Sequence, residues 1–248
     1  MKQLNQYIIE KFKLGSKNII KYTSQPKDKD ELKQIIKERI EKEGNECDLN
    51  DIDVSQITDM SNLFYDFKNF NGNISEWDVS NVTNMGWMFR ESKFNRDISK
   101  WDVSHVENMA YMFYQSKFNR DISQWNVSNV TDMRNLFNKS EFNGDISEWD
   151  VSNVIDLSSI FFKSKFNKDI SQWNVSNVTE MYCTFYESEF NGDISEWNTS
   201  NVKIMTMMFR GSKFNGDISE WDVSNVKDMK NIFKQCPLEK NPPKWYKE

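Results

Sequence analysis

The groups that would be tried first for nucleophilic or thiol chemistry are one histidine, His105, and three cysteines, Cys47, Cys183 and Cys236. A Cys–His pair works only within hydrogen-bond reach. His105 and Cys183 stand three repeats of a 24-residue unit apart and at different positions within it. At the sheet spacing of about 4.8 Å per repeat they would lie roughly 15 Å from each other. His105 also occupies a position held elsewhere by Asn81, Asn129, Asn153, Asn177, Asn201 and Asn225, which marks it as a drifted polar turn residue. The cysteines are odd in number, unrelated in spacing and without a CxxC, so no disulfide framework follows. No catalytic residue and no metal ligand is assigned.

Carboxylates recur more regularly. Asp97, Asp121, Asp145, Asp169, Asp193 and Asp217 precede an isoleucine, and Asp53, Asp78, Asp102, Asp150 and Asp222 form a second column in which Asn126, Asn174 and Asn198 substitute. Stacked carboxylates repel unless compensated. Calcium would satisfy them with many oxygen ligands, but the exchange with asparagine fits side chains that accept backbone N–H groups in tight turns. The second reading is the expectation, and no cofactor is implied.

These addresses come from a tryptophan ladder. Trp77, Trp101, Trp125, Trp149, Trp173, Trp197, Trp221 and Trp245 recur with a constant 24-residue period. Seven of them sit in variants of FN-x-D-I-S-x-W-D-V-S-N-V-T-x-M-x-x-M-F. A fixed period of this length is the mark of a stacked repeat architecture. The first-to-second step is longer than the others by one residue, because DFKNF (66–70) exceeds its counterparts by one. The series fades at Leu238 and Pro242, so residues 237–248 read as a closing half-turn.

The composition agrees with a folded stack. Mean hydropathy is −0.77 and 28% of residues are charged, yet 18 Phe, 9 Trp and 12 Met fall in register. Disordered segments lack such aromatics. The net charge is −6; residues 1–27 hold six Lys against one Glu, leaving the remainder near −11. An acidic body argues against nucleic-acid binding. No apolar run is long enough to span a membrane. The opening MKQLNQYIIEKFKL has neither the apolar core of a secretory signal nor a lipidation cysteine, and the default expectation is a cytoplasmic or virion-associated protein.

Residues 1–48 are not repeat. Leu4, Tyr7, Ile8 and Phe12 fall at helical spacing, as do Leu32, Ile35, Ile36 and Ile40; a loop is expected over 15–27. Asp28 and Gly44 frame the second helix. A helical N-terminal cap or docking segment (1–48), a repeat body (49–236) and the closing half-turn (237–248) follow. Within one unit, D-I-S-x-W-D-V reads as a short extended segment. V-T-x-M-x-x-M-F reads as about two turns of helix, with Ser80 and Thr83 and their equivalents as N-caps. The columns Ile, Trp, Val, Val, Met, Met and Phe become core ladders, and the asparagines of each F-N pair, Asn71 to Asn215, mark a corner where they can bond between units. The expected fold is therefore α/β: about eight 24-residue turns, each a short strand plus a short helix.

On such a helix, the positions two and five after the first Met face away from the core. In order these are Asn62/Tyr65, Trp87/Arg90, Tyr111/Tyr114, Asn135/Asn138, Ser159/Phe162, Cys183/Tyr186, Met207/Arg210 and Asn231/Lys234. Trp, Tyr, Phe, Met and Arg are not required in solvent and are favoured at binding hot spots. Tyr65, Trp87, Arg90, Tyr111, Tyr114, Phe162, Tyr186, Met207 and Arg210 are thus the candidate partner-binding stripe.

The phrase FNGDISEWDVSNV (214–226) followed by DMKNIF (228–233) resembles the repeats of BspA-family leucine-rich-repeat surface proteins, found also in mycoplasma lipoproteins. The resemblance covers residues 49–236. It implies a leucine-rich-repeat-like solenoid, a role in surface interaction or adhesion, and no catalytic residues. The opening MKQLNQYIIEKFKL looks like the start of proteins from Bacteroidales and their crAss-like phages. The leading expectation is a non-enzymatic module that presents its repeats to a protein or glycan. The alternative is a structural or virion-associated phage protein that docks or self-associates, as a homo-oligomer, through its N-terminal segment.

Overall fold

A computed structural model describes residues 9–11 and 20–247. The elements before the repeats are strand β1 (Ile9–Lys11), strand β2 (Ile20–Tyr22) and helix α1 (Lys29–Glu43). β1 and β2 pair antiparallel, Glu10 opposite Lys21. The helix expected around Leu4, Tyr7, Ile8 and Phe12 is centred on residues outside the described ones, and the part that is described, Ile9–Lys11, is strand. β2 likewise falls inside the stretch expected to be loop.

α1 starts where Asp28 accepts the Glu31 N–H (2.9 Å) and ends at Gly44, whose φ of 86° is the left-handed geometry that glycine adopts freely. Its buried Leu32 and Ile36 rest on the first repeat unit. Lys29 Nζ holds Asp59 (2.6 Å) and donates to Ser61 (2.9 Å), Lys33 pairs with Asp66, and Arg39 pairs with Asp51. Just before α1, Thr23 N–H donates to Asp51 O and Asp53 N–H to Ser24 O, so residues 23–24 run alongside the first unit as an incomplete preceding turn.

The repeat units are not strand plus helix. Among the described residues they contain no α-helix and no strand; the strand-type pairing between them is limited to isolated parallel bridges, as in the series Asp59–Asn84–Asn108–Asp132–Asp156. This overturns the α/β expectation. The decisive geometry is at the second position after each first Met: Asn62, Trp87, Tyr111, Asn135, Ser159, Cys183, Met207 and Asn231 all have φ between 54° and 60°. A helix needs φ near −63°. The residue four further on is also positive, from Glu91 (56°) to Gln235 (63°).

Each unit is a chain of β-turns. Trp101 N–H returns to Ile98 O, Val106 N–H to Val103 O, Met112 N–H to Met109 O and Ser116 N–H to Phe113 O, every one an i+3 to i bond. The ends of a β-turn come together, so residues three apart share a side. That is why the apolar residues fall at spacing three. The intervening N–H groups leave the unit: Tyr111, Phe113 and Gln115 donate to Arg134 O, Leu136 O and Asn138 O of the next. Thr83 caps no helix; its hydroxyl donates across to Thr58 O of the preceding unit.

The expected core columns are buried along the stack, from Ile98, Trp101, Val103, Val106, Met109, Met112 and Phe113 in one unit to their counterparts in the next. An additional ladder, unrecognised in the sequence, is formed by the phenylalanine of each F-N pair. Phe94, Phe118, Phe142 and Phe166 are fully buried and stack 6.3–6.4 Å apart, almost parallel. The closing segment begins with a single 3₁₀ turn, Pro237–Glu239, and carries Trp245 against Phe233.

Candidate functional site

Polar ladders fix the register of every surface position. The side-chain oxygen of Asn71 accepts the Asn95 N–H at 2.9 Å, that of Asn95 the Asn119 N–H at 3.0 Å, and the series continues to Asn215. This is the bonding between units that the F-N corner foretold. On another side, the amide of Asn129 donates to Ser104 O (2.6 Å) and that of Asn153 to Ser128 O (2.7 Å). His105 interrupts this second ladder as an exposed residue, whereas Cys183 is buried and its thiol is pushed up by desolvation.

The aspartate columns close turns. Asp97 accepts the Ser99 N–H and Asp102 the Ser104 N–H, as do their equivalents down the stack; Asn126, Asn174 and Asn198 accept in the same way. This explains the interchange of the two residue types. The Ser99 N–H, then its hydroxyl, hold the Asp97 carboxyl below its ordinary value; for Asp102 the Ser104 hydroxyl acts first and the N–H second. Among the described residues no group of three His, Cys, Asp or Glu side chains is placed to hold a metal ion.

The nine stripe residues do share one face, for a reason other than a helix. Each pair spans two overlapping β-turns: Trp87 is the left-handed third residue of the turn Met85–Met88, and Arg90 donates its N–H back to Trp87 O at 3.2 Å to close the turn Trp87–Arg90. All nine are partly exposed. Cys183, which shares the Trp87 column, is not.

They fall into two clusters. In the first, Trp87 and Tyr111 lie face to face (5.1 Å between ring centroids, 8° between planes), and Tyr114 tilts against Tyr111 at 5.8 Å. The Arg90 guanidinium sits between the rings of Tyr65 (5.5 Å) and Tyr114 (5.2 Å), and Lys68 adds a second cation over Tyr65. In the second, Phe162 and Tyr186 stack at 4.6 Å, Lys163 lies over both, and Arg210 lies over Tyr186 while pointing at the Met207 sulfur (3.8 Å). Asn135 and Asn138, bonded to each other at 2.6 Å, separate the clusters. The sequence reading missed Lys68 and Lys163; their distance from the tryptophan column, one residue past the pair in one case and three in the other, gave no signal.

The repeats have a family. A model described as "Mycoplasma protein of unknown function, DUF285" matches residues 31–145, 116–191 and 137–245. The chain belongs to this family of repeat-containing proteins. The matches overlap along the repeats, and the first begins inside α1. No curated protein and no solved structure matches the chain. No helix among the described residues is long and apolar enough to cross a membrane.

Proposed function

We propose that the chain is a binding module whose first aromatic–cationic cluster, Tyr65, Trp87, Arg90, Tyr111 and Tyr114, contacts a protein partner. The observation that carries this reading is where Trp87 and Tyr111 stand. Their φ values are 58° and 60°, a region in which asparagine is at ease and bulky residues are strained. Neighbouring units use Asn62 and Asn135 there. Holding a non-glycine side chain in this region costs on the order of 1 kcal/mol or more. The core does not need these rings, since the turn closes equally well around asparagine. A use outside the fold accounts for them.

Ring geometry favours protein over glycan. Sugars stack on open ring faces, but Trp87 and Tyr111 each cover one face of the other. Phenolic hydroxyls and an arginine held by two rings are hot-spot material at protein interfaces. The adhesion role implied by the BspA-family resemblance is part of this proposal. The alternative of docking through the N-terminal segment draws mainly on residues 1–8 and 12–19, outside the described residues.

A photo-crosslinking amino acid at Tyr114, compared with one at exposed Gln172, tests it in the source cells. A discrete adduct at Tyr114 that disappears when Trp87 and Tyr111 are both serine, in a variant with unchanged melting behaviour, supports the reading. Equal adducts at both positions would sink it.

A further inference from the structure

The last repeat unit leaves a row of backbone donors open. In seven successive units the N–H at the Trp87 position donates to a carbonyl of the following unit, ending with Met207 N–H to Lys230 O. The Phe89 position does the same, ending with Phe209 N–H to Ile232 O. Their counterparts in the last unit, Asn231 and Phe233, have no acceptor for their N–H groups among the described residues. The next donor in the row, Gln235 N–H, is met by the carboxylate of Glu239 at 2.9 Å. The chain itself therefore completes one position of this row with an acidic side chain where the six preceding units, from Glu91 to Gly211, have a carbonyl.

The surroundings fit the same chemistry. Asn231, Phe233, Lys234, Glu239, Pro242 and Tyr246 line a pocket of about 370 Å³ at the open donors. Lys234 is exposed, and among the described residues no carboxylate is in ion-pair contact with it. Arg210, one unit back, carries a buried Nε without an acceptor. Residues 227–247 hold six lysines against two acids, in a protein that is acidic overall. Glu239, whose carboxylate accepts the Gln235 N–H, is the one acid that lines the pocket and opposes this field. Beside the row, Val223, Val226 and Met229 are partly exposed, although Val202 and Met205 in the preceding unit are fully buried.

We propose that this end of the stack binds an extended acidic peptide segment of a partner protein. A Glu or Asp carboxylate of that segment enters the pocket, accepts the Asn231 and Phe233 N–H groups and faces Lys234. Apolar side chains of the same segment cover Val223, Val226 and Met229. Open strand-like edges recruit peptides through main-chain bonds, and the Asn231–Phe233 part of this edge offers N–H donors beside Lys234, which favours an acceptor-rich, negatively charged occupant.

Fluorescein-labelled Val-Glu-Val-Glu-Val-Glu, with Val-Lys-Val-Lys-Val-Lys as its control, is titrated into the full chain and followed by anisotropy. Amide exchange at Asn231 and Phe233 is read by NMR in parallel. The acidic peptide is expected to bind at least tenfold more tightly and to slow both amides at least tenfold. Lys234→Glu should abolish both effects, and Trp87→Ser/Tyr111→Ser should leave them unchanged, which separates this surface from the aromatic cluster. Equal binding of the two peptides, or binding without amide protection, overturns the proposal. So does protection that grows with protein concentration in the absence of peptide, with a dimer in sedimentation, because the occupant would then be a second copy.

Discussion

The indole Nε1 of Trp125 donates to the carbonyl oxygen of Ile98, one unit back, at 3.1 Å. The same carbonyl receives the Trp101 N–H at 3.2 Å, closing its own turn. One oxygen thus shapes a unit and ties it to the next, and the pattern repeats from Trp77–Leu49 to Trp245–Ile218. Aromatic burial alone would tolerate phenylalanine; the hydrogen bond explains why tryptophan persists from Trp77 to Trp245, after Ile52 in the first unit.

Trp125→Phe should therefore destabilise the chain by more than its loss of ring area. The Ile98 carbonyl keeps one donor and loses the other, and a buried bond is worth about 0.5–1.5 kcal/mol net. With the smaller ring left in a closed core, a total of about 2–3 kcal/mol is expected. A urea titration reads it as a lower midpoint with unchanged slope. A loss smaller than the low end of that hydrogen-bond range would mean that the indole N–H contributes nothing.

Acid should loosen the stack through its turn carboxylates. Backbone or hydroxyl donors of the serine two residues on hold Asp97, Asp102, Asp145 and Asp150 below their ordinary values. A carboxyl whose folded value is depressed stabilises the fold above its unfolded value. That contribution fades as pH falls through the folded value. Stability should be flat down to about pH 5 and then fall steadily below about pH 4. Melting temperatures from pH 7 to pH 2 provide the test; a fall centred near pH 6 would assign acid sensitivity to other groups.

Glu141 bridges Lys165 (2.8 Å) and Lys117 (2.9 Å) on neighbouring units, and these two ammonium groups, Lys165 first, bring its carboxyl down to about 2. Both lysines are well exposed, so solvent screens the pairs and little stability rides on them. Glu141→Gln should shift the urea midpoint by an amount equivalent to less than about 1 kcal/mol. The side-chain carboxyl resonance of Glu141 should nevertheless titrate well below those of other glutamates. An ordinary titration midpoint would show that the trio does not form in solution.

The sequence revealed the positions better than the backbone. Trp, Ile, Val, Met and Phe columns could be assigned to the core because the 24-residue period superimposes them, and the Asn71–Asn215 ladder followed from the same register. The helix was misread because Met109, Met112 and Phe113 sit at spacings a helix and a run of β-turns share. Only φ separates the two, and Tyr111 at 60° gives no sign of itself in the sequence. The exposure of the nine stripe residues does not depend on a helix. In a helix, positions two and five after Met109 point outward; in the observed chain of turns, Tyr111 is the left-handed corner of Met109–Met112 and Tyr114 closes the next turn on Tyr111, and both are partly exposed as well. Lys68 and Lys163 stayed hidden because they lie one residue past the stripe pair in one unit and three past in the other, distances that only ring-to-cation geometry brings together.

The turn backbone itself can be challenged at Asn135, which has φ of 58° and is bonded through its carbonyl oxygen to the Asn138 N–H at 3.2 Å. In a helix, Asn135→Gly would cost several tenths of a kcal/mol and Asn135→Val would be close to neutral, since asparagine and valine have similar helix propensities. In the left-handed corner of a β-turn the order reverses. Glycine occupies positive φ freely, while a β-branched side chain is a steric outlier there. Asn135→Gly should leave stability within about 0.5 kcal/mol of the parent, its lost side-chain bond to Asn138 offset by relief at φ. Asn135→Val should cost about 1–3 kcal/mol. Chemical denaturation of the two variants decides the matter, because only a turn makes glycine the milder substitution. Should valine prove the milder one, the corner assigned to Asn135, and with it the turn that carries Trp87 and Tyr111 in the neighbouring units, would have to be withdrawn.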